Sequence, residues 1–268
     1  MNYWTESKKN IYVAAHRGWC EKYPENTMLA FEKAIEVGVD QIETDLRVTY
    51  DGEIVLIHDA TVDRTTNGTG KVIEKTLAEI RALDAGIKKG EEFAGEKIPT
   101  FVELMELVKD HPTLTLDLEL KEYPTEGREE LAYSVCDKII EIVESYGFGD
   151  RIVLNTFSGK LQEYIQDKYG NKYRQHLFYP ISNMGKVTRD PYKYAFCCCM
   201  FKSFYSDVNL ASREECERMA AMGVEPWGGA SIKDERGVDM AIDCGLTLIT
   251  CNNPGTILDI LRKKGYHA

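Results

Sequence analysis

The chain has 268 residues, 43% of them apolar, 10% aromatic and 29% charged, with 8 prolines, a composition that excludes intrinsically disordered, collagen-like and mucin-like classes. Its 33 Lys and Arg against 44 Asp and Glu leave a net charge of −11, which argues against a nucleic-acid partner. The amino-terminal MNYWTESKKN lacks an apolar signal-peptide core, and the most apolar run, Tyr194–Phe201, is far shorter than the roughly 20 residues of a membrane span. A soluble, cytoplasmic protein without membrane insertion is expected.

Taken in order, the first β-type run is Ile11–Ala15, which leads into His16-Arg17-Gly18-Trp19. The helical pattern Thr27–Val37 follows, with Asn26 or Thr27 able to cap it, Met28, Phe31 and Ile35 on its apolar face, and Gly38 just past its end. The runs Gln41–Leu46 and Ile54–His58 come next, joined only through the Asp51-Gly52 turn region, too short for a helix. Residues 60–99 are an excursion rich in Thr and Gly, read as a small subdomain over one end of the fold. Helix Thr100–Lys109, strand Leu114–Leu120, helix Glu129–Tyr146, strand Arg151–Phe157, helix Lys160–Lys168 and strand His176–Tyr179 continue the alternation. Helix Ser212–Met222, strand Val224–Trp227, helix Glu235–Asp243, strand Leu246–Cys251 and helix Gly255–Lys263 complete it.

Alternating strands and helices predict a parallel sheet with right-handed crossovers. Eight strand candidates in a chain of this length predict an α/β fold of the (β/α)8 TIM-barrel type, with a small subdomain inserted after strand 3. An open doubly wound sheet would begin with a Gly-rich turn, and no G-x-G-x-x-G is present. With no Gly/Ser-rich linker, residues 1–268 are expected to form one barrel domain carrying the 60–99 insertion. The 8 cysteines include no C-x-x-C pair, so they are expected to be small core residues, with redox work at Cys197–Cys199 the alternative.

The polar residues gather at the carboxyl ends of the early strands, the end at which barrels of this type build active sites. His16 and Arg17 end the first, His58 and Asp59 the third, and Asp117, Glu119 and Lys121 the fourth. Glu43 and Asp45, on the second, are two residues apart and so share a face. Buried carboxylates do not all ionise side by side without a cation, because desolvation and like charge both oppose it. Glu43, Asp45 and Glu119 therefore predict one hard divalent ion, Mg2+ or Ca2+ rather than zinc. Arg17 and Lys121 suit the non-bridging oxygens of a phosphate, and His16 and His58 suit a general acid/base pair.

The ordered segments His16-Arg17-Gly18, Pro24-Glu25-Asn26-Thr27, Glu43-x-Asp45, Asp51-Gly52, His58-Asp59, Arg64-Thr65-Thr66-Asn67-Gly68, Ile98-Pro99-Thr100 and Leu118-Glu119-Leu120-Lys121 resemble those of the glycerophosphodiester phosphodiesterases. The resemblance is dense over residues 11–121 and thinner afterwards. It implies a barrel with an insertion after strand 3 and hydrolysis of a small glycerophosphodiester to sn-glycerol 3-phosphate and an alcohol with one divalent cation. It also implies His16 and His58 as acid and base, Glu43, Asp45 and Glu119 as metal ligands, and Arg17 and Lys121 as phosphate contacts. The second half departs from the family pattern at Thr156-Phe157, at Trp227-Gly228-Gly229-Ala230 and at Cys251-Asn252-Asn253, where an acidic residue is usual. Phe157 and Trp227 are expected as walls of the substrate pocket. The competing readings are a phospholipase-type phosphodiesterase that forms a cyclic phosphate, and a phosphate-ligand binder without turnover.

Overall fold

The structure, a computed structural model, describes residue 4 and residues 10–202 and 207–268. Strand β1 (Tyr12–His16) lies between β2 (Gln41–Val48) and the last strand, β9 (Leu248–Cys251), and is parallel to both, with His16 level with Glu43. From β2 the sheet continues in parallel through β4 (Thr115–Leu120), β5 (Ile152–Asn155), β6 (Arg174–Tyr179), β7 (Cys197–Met200) and β8 (Glu225–Gly228) to β9. The β1–β2 pairing closes these strands into an eight-stranded parallel barrel.

The remaining strand, β3 (Ile54–Leu56), corrects the expected strand list. It pairs antiparallel with the far end of β2 (Leu46↔Leu56, Val48↔Ile54) and is not one of the eight barrel strands. The cause is the connection: a turn as tight as Thr49–Glu53 can only fold the chain back on itself, whereas a parallel neighbour needs a crossover of a dozen or more residues. The place in the barrel belongs to β7, which lies within the run Tyr194–Phe201 and is buried along its whole length. A strand covered on both faces carries no alternation, so Cys197-Cys198-Cys199-Met200 has no period-2 signal.

The helices outside the barrel are set by local chemistry. In α1 (Met28–Val37) Thr27 is the cap, its side chain accepting from Ala30 N, and Gly38 ends the helix at φ 92°. Helices α2 (Leu77–Ala82) and α3 (Phe101–Val108) start with complete capping boxes, Thr76 with Glu79 and Thr100 with Glu103. They are followed by α4 (Glu129–Ser145), α5 (Gly159–Tyr169), α6 (Arg213–Ala221), α7 (Glu235–Asp243) and α8 (Pro254–Lys264). The insertion after β3 has its own apolar cluster, Val55, Ile57, Val62, Val72, Ile80, Ala85 and Ile98. It is fastened to the barrel by Ile57 N donating to Asp45 O, and its end returns to β3 through Leu56 N donating to Pro99 O. No helix among the described residues is long and apolar enough to cross a membrane.

Candidate active site

Directly after β1 the backbone turns sharply. Arg17 has φ 56° and Gly18 φ 76°, and a Cβ on Gly18 would stand 2.7 Å from the carbonyl carbon of Ala30, so glycine is required there. The turn is held by Arg17 N, which donates to Glu43 Oε2 at 3.0 Å and to Glu43 O at 2.9 Å. This aims His16 and Arg17 at the carboxylates of β2.

The β2–β4 register places Asp45 opposite Glu119 and Glu43 opposite Asp117. One carboxylate oxygen each from Glu43, Asp45 and Glu119 lies within 4.8 Å of the others, and all three side chains are buried. Lys121 Nζ stands 3.1 Å from Asp45 Oδ1 and pairs with Glu119 Oε1, while Arg17 Nε is 3.3 Å from Asp45 Oδ2. Asn26 Nδ2 donates to Asp45 Oδ2 at 2.8 Å and its own carbonyl accepts from Thr44 Oγ1 at 2.9 Å. The residue weighed as a cap is thus part of the site, and it takes a left-handed φ of 54° to be so.

Charge is unevenly shared among these acids. Burial, with Asp45 and Glu119 beside it, pushes Glu43 well above the usual carboxylate range, and burial also raises Glu119 in spite of Lys121. Burial opposes ionisation of Asp45 too, but Lys121 and Arg17 hold it down to about 2. Among the described residues, Asp45 Oδ1 is met by the Lys121 ammonium alone. A buried, all-oxygen cluster in which two of three acids resist ionisation fits a hard divalent cation.

The two histidines are held differently. His16 Nδ1 meets the Asn252 carbonyl oxygen at 2.6 Å, and its Nε2 is 3.9 Å from Glu43 Oε2. Burial, with Arg17 beside it, pushes His16 down to about 4. His58 Nδ1 meets Asp59 Oδ1 at 2.7 Å, and His58 is also lowered by burial. Since an amide oxygen and a carboxylate both only accept, each contact fixes Nδ1 as the protonated nitrogen and leaves Nε2 as the nitrogen able to exchange a proton.

His16, Arg17, Glu43, His58, Glu119 and Lys121 line one cavity of about 360 Å3. The same lining includes Phe157, Phe178 and Phe201, stacked as a ladder with centroid spacings of 3.6 and 5.7 Å. Trp227, expected as a wall, lies elsewhere: it is 1% exposed, absent from the cavity lining, and packed in the barrel interior among Ala14, Val153, Cys197 and Leu248. The small side chains of Ala14 and Cys197 leave room for its indole. Burial raises the Cys197, Cys198 and Cys199 thiols, which suits core residues.

His176 lies beyond the sequence reading. It lines the cavity and forms a buried pair with Asp117, at 2.8 Å between Nδ1 and Oδ2. The even spacing of His176 and Phe178 on one face of β6 is the signal that would have found it. Glu25 and Arg64 appear in the matched segments without a role, and both belong to a hydrogen-bonded chain around the site described below.

A closed parallel barrel with this set of polar residues at its carboxyl-terminal rim is the architecture of a (β/α)8-barrel enzyme. The chain belongs to the glycerophosphoryl diester phosphodiesterase family, whose model matches residues 16–227. A glycerophosphodiester phosphodiesterase of Caldanaerobacter subterraneus subsp. tengcongensis is 36% identical over 259 residues, which span 94% of this chain and 98% of that protein. Among solved structures, an Oleispira antarctica phosphodiesterase in complex with the product sn-glycerol-3-phosphate is similar with a TM-score of 0.76 at 24% identity, covering 94% of this chain and 96% of that one. An Agrobacterium tumefaciens glycerophosphodiester phosphodiesterase has a TM-score of 0.73 at 22% identity, covering 92% and 98%.

Proposed function

We propose that the chain, as one barrel domain carrying the 60–99 insertion, hydrolyses small glycerophosphodiesters to sn-glycerol 3-phosphate and an alcohol. The observation that carries this reading is the meeting of Arg17, Lys121, His16, His58, Glu43 and Glu119 in the lining of one cavity of about 360 Å3, with a carboxylate oxygen of the buried Asp45 within 4.8 Å of those of the two glutamates, in a chain of this family. The product named for the Oleispira antarctica neighbour supports the same substrate class. The net charge of −11 supports a small diester over nucleic acid or an anionic membrane surface.

Arg17 and Lys121 hold the non-bridging phosphate oxygens, Arg17 as a fork and Lys121 as a point charge. Glu43, Asp45 and Glu119 would hold one divalent ion, Mg2+ or Ca2+, which when bound supplies Lewis-acid polarisation of the phosphate and relieves the crowding of the acids. His16, kept neutral by burial and the neighbouring Arg17 and oriented by Asn252, accepts at Nε2 the proton of the attacking hydroxyl, either of water or of the substrate's glycerol, in which case water then opens the cyclic phosphate. His58, whose Asp59 carboxylate stabilises its imidazolium form, donates from Nε2 to the alcohol oxygen as the P–O bond breaks. The Phe157–Phe178–Phe201 ladder gives the non-reacting part of the substrate a dry surface.

The test is an assay of purified protein with Mg2+ or Ca2+ on glycerophosphocholine, glycerophosphoethanolamine and phospholipid vesicles. Release of sn-glycerol 3-phosphate from the soluble diesters is expected. Cleavage confined to vesicles, or to a cyclic phosphate that never opens, would overturn the reading.

A further inference from the structure

Arg64 stands outside the cavity, on a tight turn of the insertion that is fixed by Thr66 Oγ1 and Thr66 N donating to Val62 O, with Val62 in the insertion's apolar cluster. Its guanidinium makes two forked ion pairs at once. Toward Asp59, Nε donates to Oδ2 at 2.7 Å and Nη2 to Oδ1 at 3.1 Å. Toward Glu25, Nη1 donates to Oε2 at 2.8 Å and Nη2 to Oε1 at 2.8 Å.

Each carboxylate is already committed to a site residue. Glu25 Oε1 also accepts from Arg17 Nη1 at 3.0 Å, and Asp59 Oδ1 also meets His58 Nδ1 at 2.7 Å. The result is an unbroken chain, Arg17–Glu25–Arg64–Asp59–His58, with a phosphate contact at one end and a proton carrier at the other. Planarity matters here, because a guanidinium held by two forks fixes the angle between its partners, which an ammonium does not. Asp59 is lowered first by its hydrogen bond to Arg64; burial opposes ionisation of Glu25, but Arg64 and Arg17 lower it. Arg17 in turn sits at φ 56°, a backbone state that persists in a non-glycine residue only when its surroundings hold it.

We propose that Arg64 is a positioning residue that sets the relative orientation of Arg17 and His58 through Glu25 and Asp59, and that delivering this arginine to the rim of the barrel is a function of the insertion. The inference rests on the roles given to Arg17 and His58 under the proposed function.

The experiment compares wild type with Arg64→Met, Arg64→Lys, Asp59→Asn and the Arg64→Met/Asp59→Asn double variant, reading kcat and KM on glycerophosphocholine together with Tm. His58→Ala serves as the reference. Half the Arg64 side chain is in solvent, so Arg64→Met is expected to fold with Tm near wild type. Loss of orientation should lower kcat/KM about 10- to 100-fold, with part of the loss in kcat. Arg64→Lys should recover only a fraction, since it cannot hold both forks. The double variant should be little worse than its poorer single parent, because both changes break the same chain.

Arg64→Met within about twofold of wild type, a loss confined to KM, or fully multiplicative effects with Asp59→Asn would overturn the proposal. An inactive wild type, or a fully active His58→Ala, would instead overturn the functional reading on which it rests.

Discussion

Asp45 is held from three directions, with Lys121, Arg17 and Asn26 all directed at its two oxygens. His16 and His58 are held by one hydrogen bond each, at Nδ1, which leaves the other nitrogen for chemistry. Replacing either histidine by alanine should therefore cost roughly 10² to 10⁴ in rate while substrate binding is largely kept, as steady-state kinetics beside equilibrium binding of a non-hydrolysed diester would reveal. The aromatic residues divide in the same way. Phe157→Ala should raise KM, because Phe157 lines the cavity, whereas Trp227→Phe should lower Tm and leave KM unchanged, because the indole is core. At this scale the sequence was legible where spacing carried the geometry: Glu43-x-Asp45 and Glu119-x-Lys121 can only share a face of their strands. It was not legible where the partner lay far along the chain, as for His176 with Asp117, 59 residues apart, or Asn252 with His16, 236 apart.

Among the elements, helices were the easier to read, since their boundaries are written locally in caps. Thr100 accepts from Glu103 N while the Glu103 carboxylate accepts from Thr100 N, closing α3 at its start. Thr100→Ala should destabilise the protein by about 0.5–2 kcal/mol in urea unfolding, with no change in the slope against denaturant. Strands β3 and β7 were harder for opposite reasons. The Ile54–His58 run has ordinary strand composition, and only its short link to β2 shows that it must return antiparallel. In β7 the composition gives no alternation, and the preceding connection, residues 180–196, contains short 3₁₀ turns and no α-helix to announce a crossover. The expected number of barrel strands was thus met with one member exchanged.

For the whole molecule, closure of the barrel decides which distant segments meet. β1 pairs with β9, so the carboxyl terminus returns to the amino-terminal strands, and His267 Nε2 reaches Asp40 Oδ2 at 2.9 Å, an oxygen that also accepts from Val13 N at 2.8 Å. The hydrogen bond to Asp40 raises His267 above its ordinary 6.5. A group raised in the folded state contributes its full stability below its ordinary value and loses it as pH rises through the raised one. His267→Gln should accordingly be less stable than wild type below pH 6.5, with the difference shrinking and then vanishing as pH climbs past the raised value, as paired denaturation curves across that range would record. The net charge of −11 leaves the surface mainly acidic, while the barrel rim concentrates Arg17, Lys121 and Arg64 around the buried acids.

The arrangement of ion, phosphate and proton carriers is tested most directly by a crystal structure of the protein with sn-glycerol 3-phosphate and Mg2+ or Ca2+. The phosphate is expected against Arg17 and Lys121, the ion among Glu43, Asp45 and Glu119, and Nε2 of His16 and of His58 toward the phosphorus. A phosphate bound outside this cavity, or an ion held by other residues while these three acids keep only their protein contacts, would contradict it.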